Sequence, residues 1–275
     1  MFCILEFLLG WIDKIMKRDV LRGIIQSVSF GISLLLIILL IKGIFTTAHQ
    51  FCPYSSICFG IMGLKLHTGM LFKPAIIIGF LIAFSTIFLG RLFCGYVCFI
   101  GTLQESIFKL NKSKHKFSQR IPFKFHRFLL GLKYLSFLIT VIFAYLGIQY
   151  LYMKSCPVLA FAHPQRIGIA AAITLIIIIF GGFLVERFWC RYLCPYAAMM
   201  NVFQYFGKLL KIKRLKIFRN IKTSINCFNC LNYCPMSIDI GYNEEITDVN
   251  CIHCFRCVRI CSKQDAAKSK CIYRD

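Results

Sequence analysis

The chain has 275 residues, a mean hydropathy of +0.70 and only 16% charged residues, which is too apolar and too sparsely charged for a soluble domain of this length. A net charge of +22 is compatible with nucleic acid, but the basic residues flank apolar stretches and no nucleic-acid motif accompanies them, so nucleic acid is set aside as a partner and membrane orientation explains the charge. Of sixteen cysteines, eleven fall in CxxC or CxxxC spacings, which suit metal ligation better than a disulfide scaffold.

In chain order, residues 2–18 read as an amphipathic interfacial helix with Phe2, Leu5, Leu9 and Ile12 along one side, inside an N-terminal segment 1–22. Glu6 and Asp13 interrupt it, and no cleavable signal pattern is evident. Four stretches free of Asp, Glu, Lys and Arg follow, at 23–41, 74–90, 134–153 and 167–185. At about 1.5 Å per residue each nearly crosses a bilayer core of about 30 Å, which predicts four transmembrane helices in a membrane domain over 23–206. Arg91, Lys133 and Glu186 lie close enough to the ends to snorkel.

Basic residues set the predicted orientation. Lys14, Lys17, Arg18 and Arg22 precede the first span; Lys109, Lys112, Lys114, Lys116, Arg120, Lys124 and Arg127 separate the second from the third; a further cluster from Lys208 to Lys222 follows the fourth as a basic linker over 207–222. The loops at 46–73 and 154–166 are poorer in Lys and Arg, so they are predicted outside and both termini cytoplasmic, in a multi-pass protein of the cell's inner membrane.

An internal repeat emerges once the spans are drawn. Arg91-Leu-Phe-Cys94-Gly-Tyr-Val-Cys98 and Arg187-Phe-Trp-Cys190-Arg-Tyr-Leu-Cys194 share Arg, an aromatic, Cys, Tyr and Cys in register, 96 residues apart, and Cys52-Pro53 is matched by Cys156-Pro157. Two parallel repeats, about 23–105 and 128–201, are therefore predicted, related by a pseudo-twofold axis along the membrane normal. On a helix, residues four apart share a face, so Cys94 with Cys98 and Cys190 with Cys194 would each form a two-thiolate jaw, an inner site for iron–sulfur, Cu(I) or zinc. Cys52, Cys58 and Cys156 fall in the outer loops, where a disulfide and a second metal site both remain open; His49, His67 and His163 are nearby. Glu186 and Arg187 read as an interfacial charge pair, and Cys3 and Cys271 as free thiols or, at best, substitutes for a cluster ligand missing at Ser224.

From about residue 223 the character changes to a predicted module over 223–275. It carries Cys227-Phe-Asn-Cys230-Leu-Asn-Tyr-Cys234-Pro235 and a complete C-x2-C-x2-C-x3-C at Cys251, Cys254, Cys257 and Cys261. In bacterial-type ferredoxins the fourth cysteine of each run ligates the other cluster. On that rule Cys251, Cys254, Cys257 and Cys234 hold one [4Fe–4S] cluster. Cys227, Cys230 and Cys261 are left for a second, degenerate site whose fourth position is Ser224, a harder and poorer ligand than a thiolate. Structural zinc is the competing reading of these runs.

Cys94-Gly-Tyr-Val-Cys98 with Gly101-Thr-Leu-Gln-Glu105, Cys190-Arg-Tyr-Leu-Cys194-Pro195 and Cys234-Pro-Met-Ser-Ile-Asp239 resemble the polytopic ferredoxins of the NapH/NosR/CcoG group, closest in layout to the NapH type. Phe99, where the first inner motif usually has Pro, and Ser224 are the departures. The resemblance covers the chain from the second predicted span to Cys261. Members of that group serve periplasmic nitrate reduction, nitrous oxide reduction and cytochrome oxidase assembly, and the resemblance implies an electron carrier or redox accessory subunit rather than a stand-alone enzyme.

The predicted fold is thus an all-α membrane protein of four transmembrane helices in two repeats with a C-terminal α+β 2[4Fe–4S] ferredoxin-like module. Its expected function is electron transfer between a cytoplasmic donor or quinol and a membrane or extracytoplasmic redox partner. Copper handling for oxidase assembly and a zinc-stabilised membrane scaffold are the alternatives.

Overall fold

The computed structural model describes residues 19–42, 54–66, 74–111, 123–148, 156–157, 168–212, 214–219, 229–238, 245–260 and 267–272. The predicted interfacial segment 2–18, with Cys3, lies outside them, as do Cys52, Ser224, Cys227 and Cys261.

The described chain is mostly helical. Its helices are α1 (Asp19–Ile41), α2 (Ser55–Leu66), α3 (Pro74–Leu89), α4 (Leu92–Tyr96), α5 (Phe99–Leu110), α6 (Phe123–Leu146), α7 (Ile169–Leu184), α8 (Phe188–Tyr192) and α9 (Pro195–Leu209). Beyond them come β1 (Arg214–Arg219), α10 (Asn229–Asn232), β2 (Glu245–Ile246), α11 (Arg256–Ile260) and β3 (Ala267–Ile272).

Among the described residues two helices are long and apolar enough to cross a membrane, over Leu21–Leu39 and Phe125–Leu146. The other two predicted spans, α3 and α7, are helices of 16 residues each. At 1.5 Å per residue these measure about 24 Å, short of a core of about 30 Å. Both stop where an arginine-led turn begins: α3 ends at Gly90 with φ 65, and α7 ends at Val185 in extended backbone, φ −130 and ψ 126.

Helix α7 is packed with its small residues inward. It buries Ala171, Thr174, Ile178, Gly181 and Gly182 while Ile169, Ile173, Ile176 and Phe180 are exposed. Water would penalise such an apolar face, whereas lipid would not, and small residues on the inner face let helices approach closely. At Gly181 a Cβ would run into the Phe188 ring, and at Gly182 it would lie 3.2 Å from Cγ of Gln104. Helices α1 and α6 also expose apolar rows, Ile24, Val28, Ile32 and Leu35 on one and Leu135, Leu138, Ile142 and Leu146 on the other.

The chain divides into two compact units, 1–29 with 85–98 and 201–275, and 30–84 with 99–200. In the second unit α5 packs on α7 and α8, α8 also packs on α6, and α2 packs along α6. In the first unit a three-stranded antiparallel sheet in the order β2-β1-β3 is built around β1, with Ile217 opposite Ile246 and Leu215 opposite Cys271. Strand β1 falls in the stretch read from sequence as a basic linker. Its Leu215 and Ile217 are buried between charged neighbours, the period-two pattern of a strand with one covered face, and Lys216 pairs with Glu245 at 2.8 Å.

Candidate metal centre

The cysteine loop of the first unit is shaped by its backbone. Ser237, His253 and Phe255 have φ of 47°, 48° and 54°, a left-handed conformation that non-glycine residues seldom adopt and that clusters at functional sites. These residues lie beside or between Cys234, Cys251, Cys254 and Cys257, and all four cysteines line one pocket. The rest of its wall is mainly apolar: Ile217 of β1, Ile246 of β2, and Pro235, Met236, Ile252 and Phe255. Cys230 lies on α10, whose partner in packing is α11.

Burial governs the electrostatics here. It pushes the Cys251 thiol far up, with Cys254 and Cys234 adding to the effect and a hydrogen bond from the His253 backbone opposing it. Burial and the same thiol neighbours push Cys257 up as well. His253 moves the other way, down to about 4, mainly through burial, so it is neutral at pH 7; its Nε2 lies 3.1 Å from the Leu215 carbonyl, to which it donates. An apolar pocket holding several thiols disfavours their bare anions, and bound cations reverse that preference.

The inner motifs do not have the geometry assumed from spacing. Cys94 is on α4 and Cys98 follows its end, just before α5; Cys190 is on α8 and Cys194 follows its end, just before α9. A helix break between the paired cysteines therefore replaces the single helical face. The two breaks share a hydrogen-bond pattern: Val97 and Cys98 both donate to the Phe93 carbonyl, at 2.9 and 3.0 Å, and Leu193 and Cys194 both donate to that of Trp189, at 3.0 and 2.9 Å. One carbonyl thus takes an i→i−4 and an i→i−5 bond, a π-type closing turn, with Val97 at φ −107 and Leu193 at φ −121 and so no left-handed residue at either end.

Each motif also buries its leading arginine. Arg91 and Arg187 are both 0% exposed, and Arg91 Nη2 lies 4.0 Å from Cys94 Sγ. Arg187 pairs with Glu105 at 2.7 Å, so the expected partnership with Glu186 is not the principal one. Beside that ion pair, Gln104 donates to the Ile178 carbonyl at 3.1 Å and accepts from the Trp189 backbone N–H at 3.2 Å. The Gly101-Thr-Leu-Gln-Glu105 segment thus clamps α5 to α7 and α8, a role that spacing alone did not reveal.

The stretch assigned to the first outer loop contains α2, and Cys58 on it is buried. Tyr54, just before α2, places its hydroxyl 3.0 Å from Cys194 Sγ and accepts from Trp189 Nε1 at 3.1 Å. Cys156 is also buried, and burial first and Cys156 second push the Cys58 thiol up to about 12. Neither is joined in a disulfide. Behind α8, His126 Nδ1 accepts from Arg191 at 3.0 Å, since an arginine can only donate, and lies 2.8 Å from the Tyr192 hydroxyl. Among the described residues no group of three or more His, Cys, Asp or Glu side chains is arranged to hold a single metal ion.

The family model for a 4Fe-4S binding domain matches residues 72–127 and 167–213, which contain the two inner CxxxC motifs. The uncharacterized protein MJ0750 of Methanocaldococcus jannaschii is 30% identical over 256 residues, covering 90% of this chain and 94% of its own length. YccM of Escherichia coli, whose name assigns it provisionally to electron transport, is 30% identical across 74% of this chain and 58% of its own. The ferredoxin-type protein NapH of Haemophilus influenzae is 25% identical across 67% and 64%. The chain belongs to the NapH/NosR-like group of membrane ferredoxin-type proteins. No solved structure matches it.

For a protein of this group the donor set fits an iron–sulfur cluster: three buried thiols, the half-buried Cys234, a backbone donor beside Cys251 and a mainly apolar wall surround one volume. Such a cluster takes thiolate ligands and supplies one-electron redox chemistry. The chain's own contribution is to gather the thiols by left-handed turns and to keep water out with Ile217, Ile246, Ile252 and Phe255.

Proposed function

We propose that this membrane ferredoxin-type chain is a multi-pass electron carrier that passes electrons between a cytoplasmic donor or quinol and a membrane or extracytoplasmic redox partner. The observation that carries the reading is the pocket lined by Cys234, Cys251, Cys254 and Cys257, which joins a cysteine from one run to three from the other, as the ligand rule of two-cluster ferredoxins requires. These four hold the intact [4Fe–4S] cluster; Cys227, Cys230, Cys261 and Ser224 form the degenerate second site. A third site is proposed at Cys94, Cys98, Cys190 and Cys194. Supporting it, the segments matched by the 4Fe-4S model contain both motifs and begin 95 residues apart, close to the repeat of 96.

The domain scheme is part of the proposal: a four-helix membrane domain in two parallel repeats, and a cytoplasmic ferredoxin-like module with both chain termini on that side. Lipid-facing rows on α1, α6 and α7 support the membrane part.

Iron content and the EPR spectrum of the reduced, anaerobically purified chain test the cluster assignment. Cys254→Ala should abolish the intact cubane signal, whereas Cys227→Ala should remove only a weaker one, which Ser224→Cys should strengthen. A Cys254→Ala chain with wild-type iron and spectrum would sink the assignment.

A further inference from the structure

We propose that Gly90 and Gly95 form a seat for Ile252 and His253, holding the loop that carries three of the proposed cluster ligands against the segment that carries Cys94. The proposal rests on the cluster reading only for what the loop binds; the contact itself lies within one unit of the chain.

Gly95 sits inside α4, where glycine is a poorer helix former than alanine, so its presence calls for a packing reason. A Cβ at this position would lie 2.6 Å from the carbonyl oxygen of Ile252. That obstacle is backbone, which cannot swing aside as a side chain can. Gly90 closes α3, its N–H bonded to the Thr86 carbonyl at 3.0 Å and its φ at 65°. A Cβ there would run into the His253 ring. Glycine is thus required at both places by close approach, and at Gly90 by backbone conformation as well.

Both sides of the contact are held from behind. Gln26, buried on α1, donates to the Gly95 carbonyl at 3.0 Å, and the Arg22 guanidinium lies 5.9 Å from the ring centre of Tyr96. On the loop, His253 is tied to β1 through the Leu215 carbonyl. Asn250 accepts from Asn201 Nδ2 at 3.0 Å and donates through its side chain to Asp248 at 2.9 Å. Ile252 and His253 are 1% and 5% exposed, so the loop has no room to withdraw toward solvent without breaking these bonds. Because Gly95 adjoins Cys94 and Ile252 adjoins Cys251, one backbone contact separates the first inner motif from the proposed cluster loop. The glycine pair is therefore a positioning device: it sets the approach of one cysteine motif to the other.

The test uses the full chain in detergent, purified anaerobically as wild type, Gly95→Ala, Gly90→Ala, Gly90→Ala with His253→Ala, and Gly131→Ala. Gly131, on α6, has open space where a Cβ would go and serves as the control. Backbone hydrogen exchange over 251–255, iron content and the midpoint potential of the reduced cluster are measured. In Gly95→Ala, exchange over 251–255 should rise roughly tenfold or more while α6 stays as in wild type, and the potential should shift. Gly131→Ala should change neither. Gly90→Ala should loosen the same loop, and adding His253→Ala should leave it loose, because that change removes the tie to Leu215 and does not relieve the φ of 65° at residue 90. Wild-type exchange and potential in Gly95→Ala, or equal loosening of α6, would overturn the seat. An iron-free wild-type chain whose loop still responds to Gly95→Ala would instead sink the cluster reading and leave the seat standing.

Discussion

Arg187 concentrates several demands in one residue: a left-handed backbone at φ 55, a fully buried guanidinium and a bidding carboxylate 82 residues away. Two charges out of water are tolerated because each neutralises the other, and removing one leaves the second stranded. Glu105→Ala or Arg187→Ala should therefore cost about 3–5 kcal/mol, seen as a large loss of thermal stability in detergent. The double change Glu105→Leu with Arg187→Met should be milder than either single change, because no bare charge remains. Equal, small effects in all three would mean that the pair is not buried in the folded protein. The cysteine loop shows the same logic with thiols, since burial pushes Cys251 and Cys257 up and a bound cation would favour their anions instead.

At the scale of elements, α7 is the clearest case of a helix whose packing reverses the soluble pattern. Its bulky residues point outward, and its two adjacent glycines receive Phe188 and Gln104. Gly181→Leu should force Phe188 out of place and cost about 1–3 kcal/mol, whereas Ile176→Leu on the exposed face should be close to neutral. Thermal melts of the two variants check this, and equal effects would argue against the close approach of α8. The helices α4 and α8 are short for a related reason: each ends in a turn whose consecutive amides share one carbonyl, placing the second cysteine of a CxxxC outside the helix. That ending is set by local hydrogen bonding, and no periodicity of apolar residues announces it.

For the whole molecule, the positive charge between the predicted spans implies that reporters fused at residues 115 and 240 will report inside and one at 160 outside; an outside signal at 240 would strand the cysteine-rich module on the wrong face. Apolar length, charge balance, cysteine spacing and the two matching Arg-aromatic-Cys motifs were legible in the sequence because each depends on residues within a turn or a strand of one another. So was the pairing of Cys234 with the later cysteine run as an expectation, since interlocked ligation follows from spacing. The break inside each CxxxC, the burial of Cys58 on a helix and the strand hidden among the basic residues 214–219 were not legible there. Nor were Glu105 as the partner of Arg187, Tyr54 beside Cys194, and the glycines beneath Ile252 and His253. These depend on which distant surfaces meet. Only tertiary packing decides that, because burial turns a charge, a hydroxyl or a missing methyl from a neutral detail into a requirement for one particular neighbour.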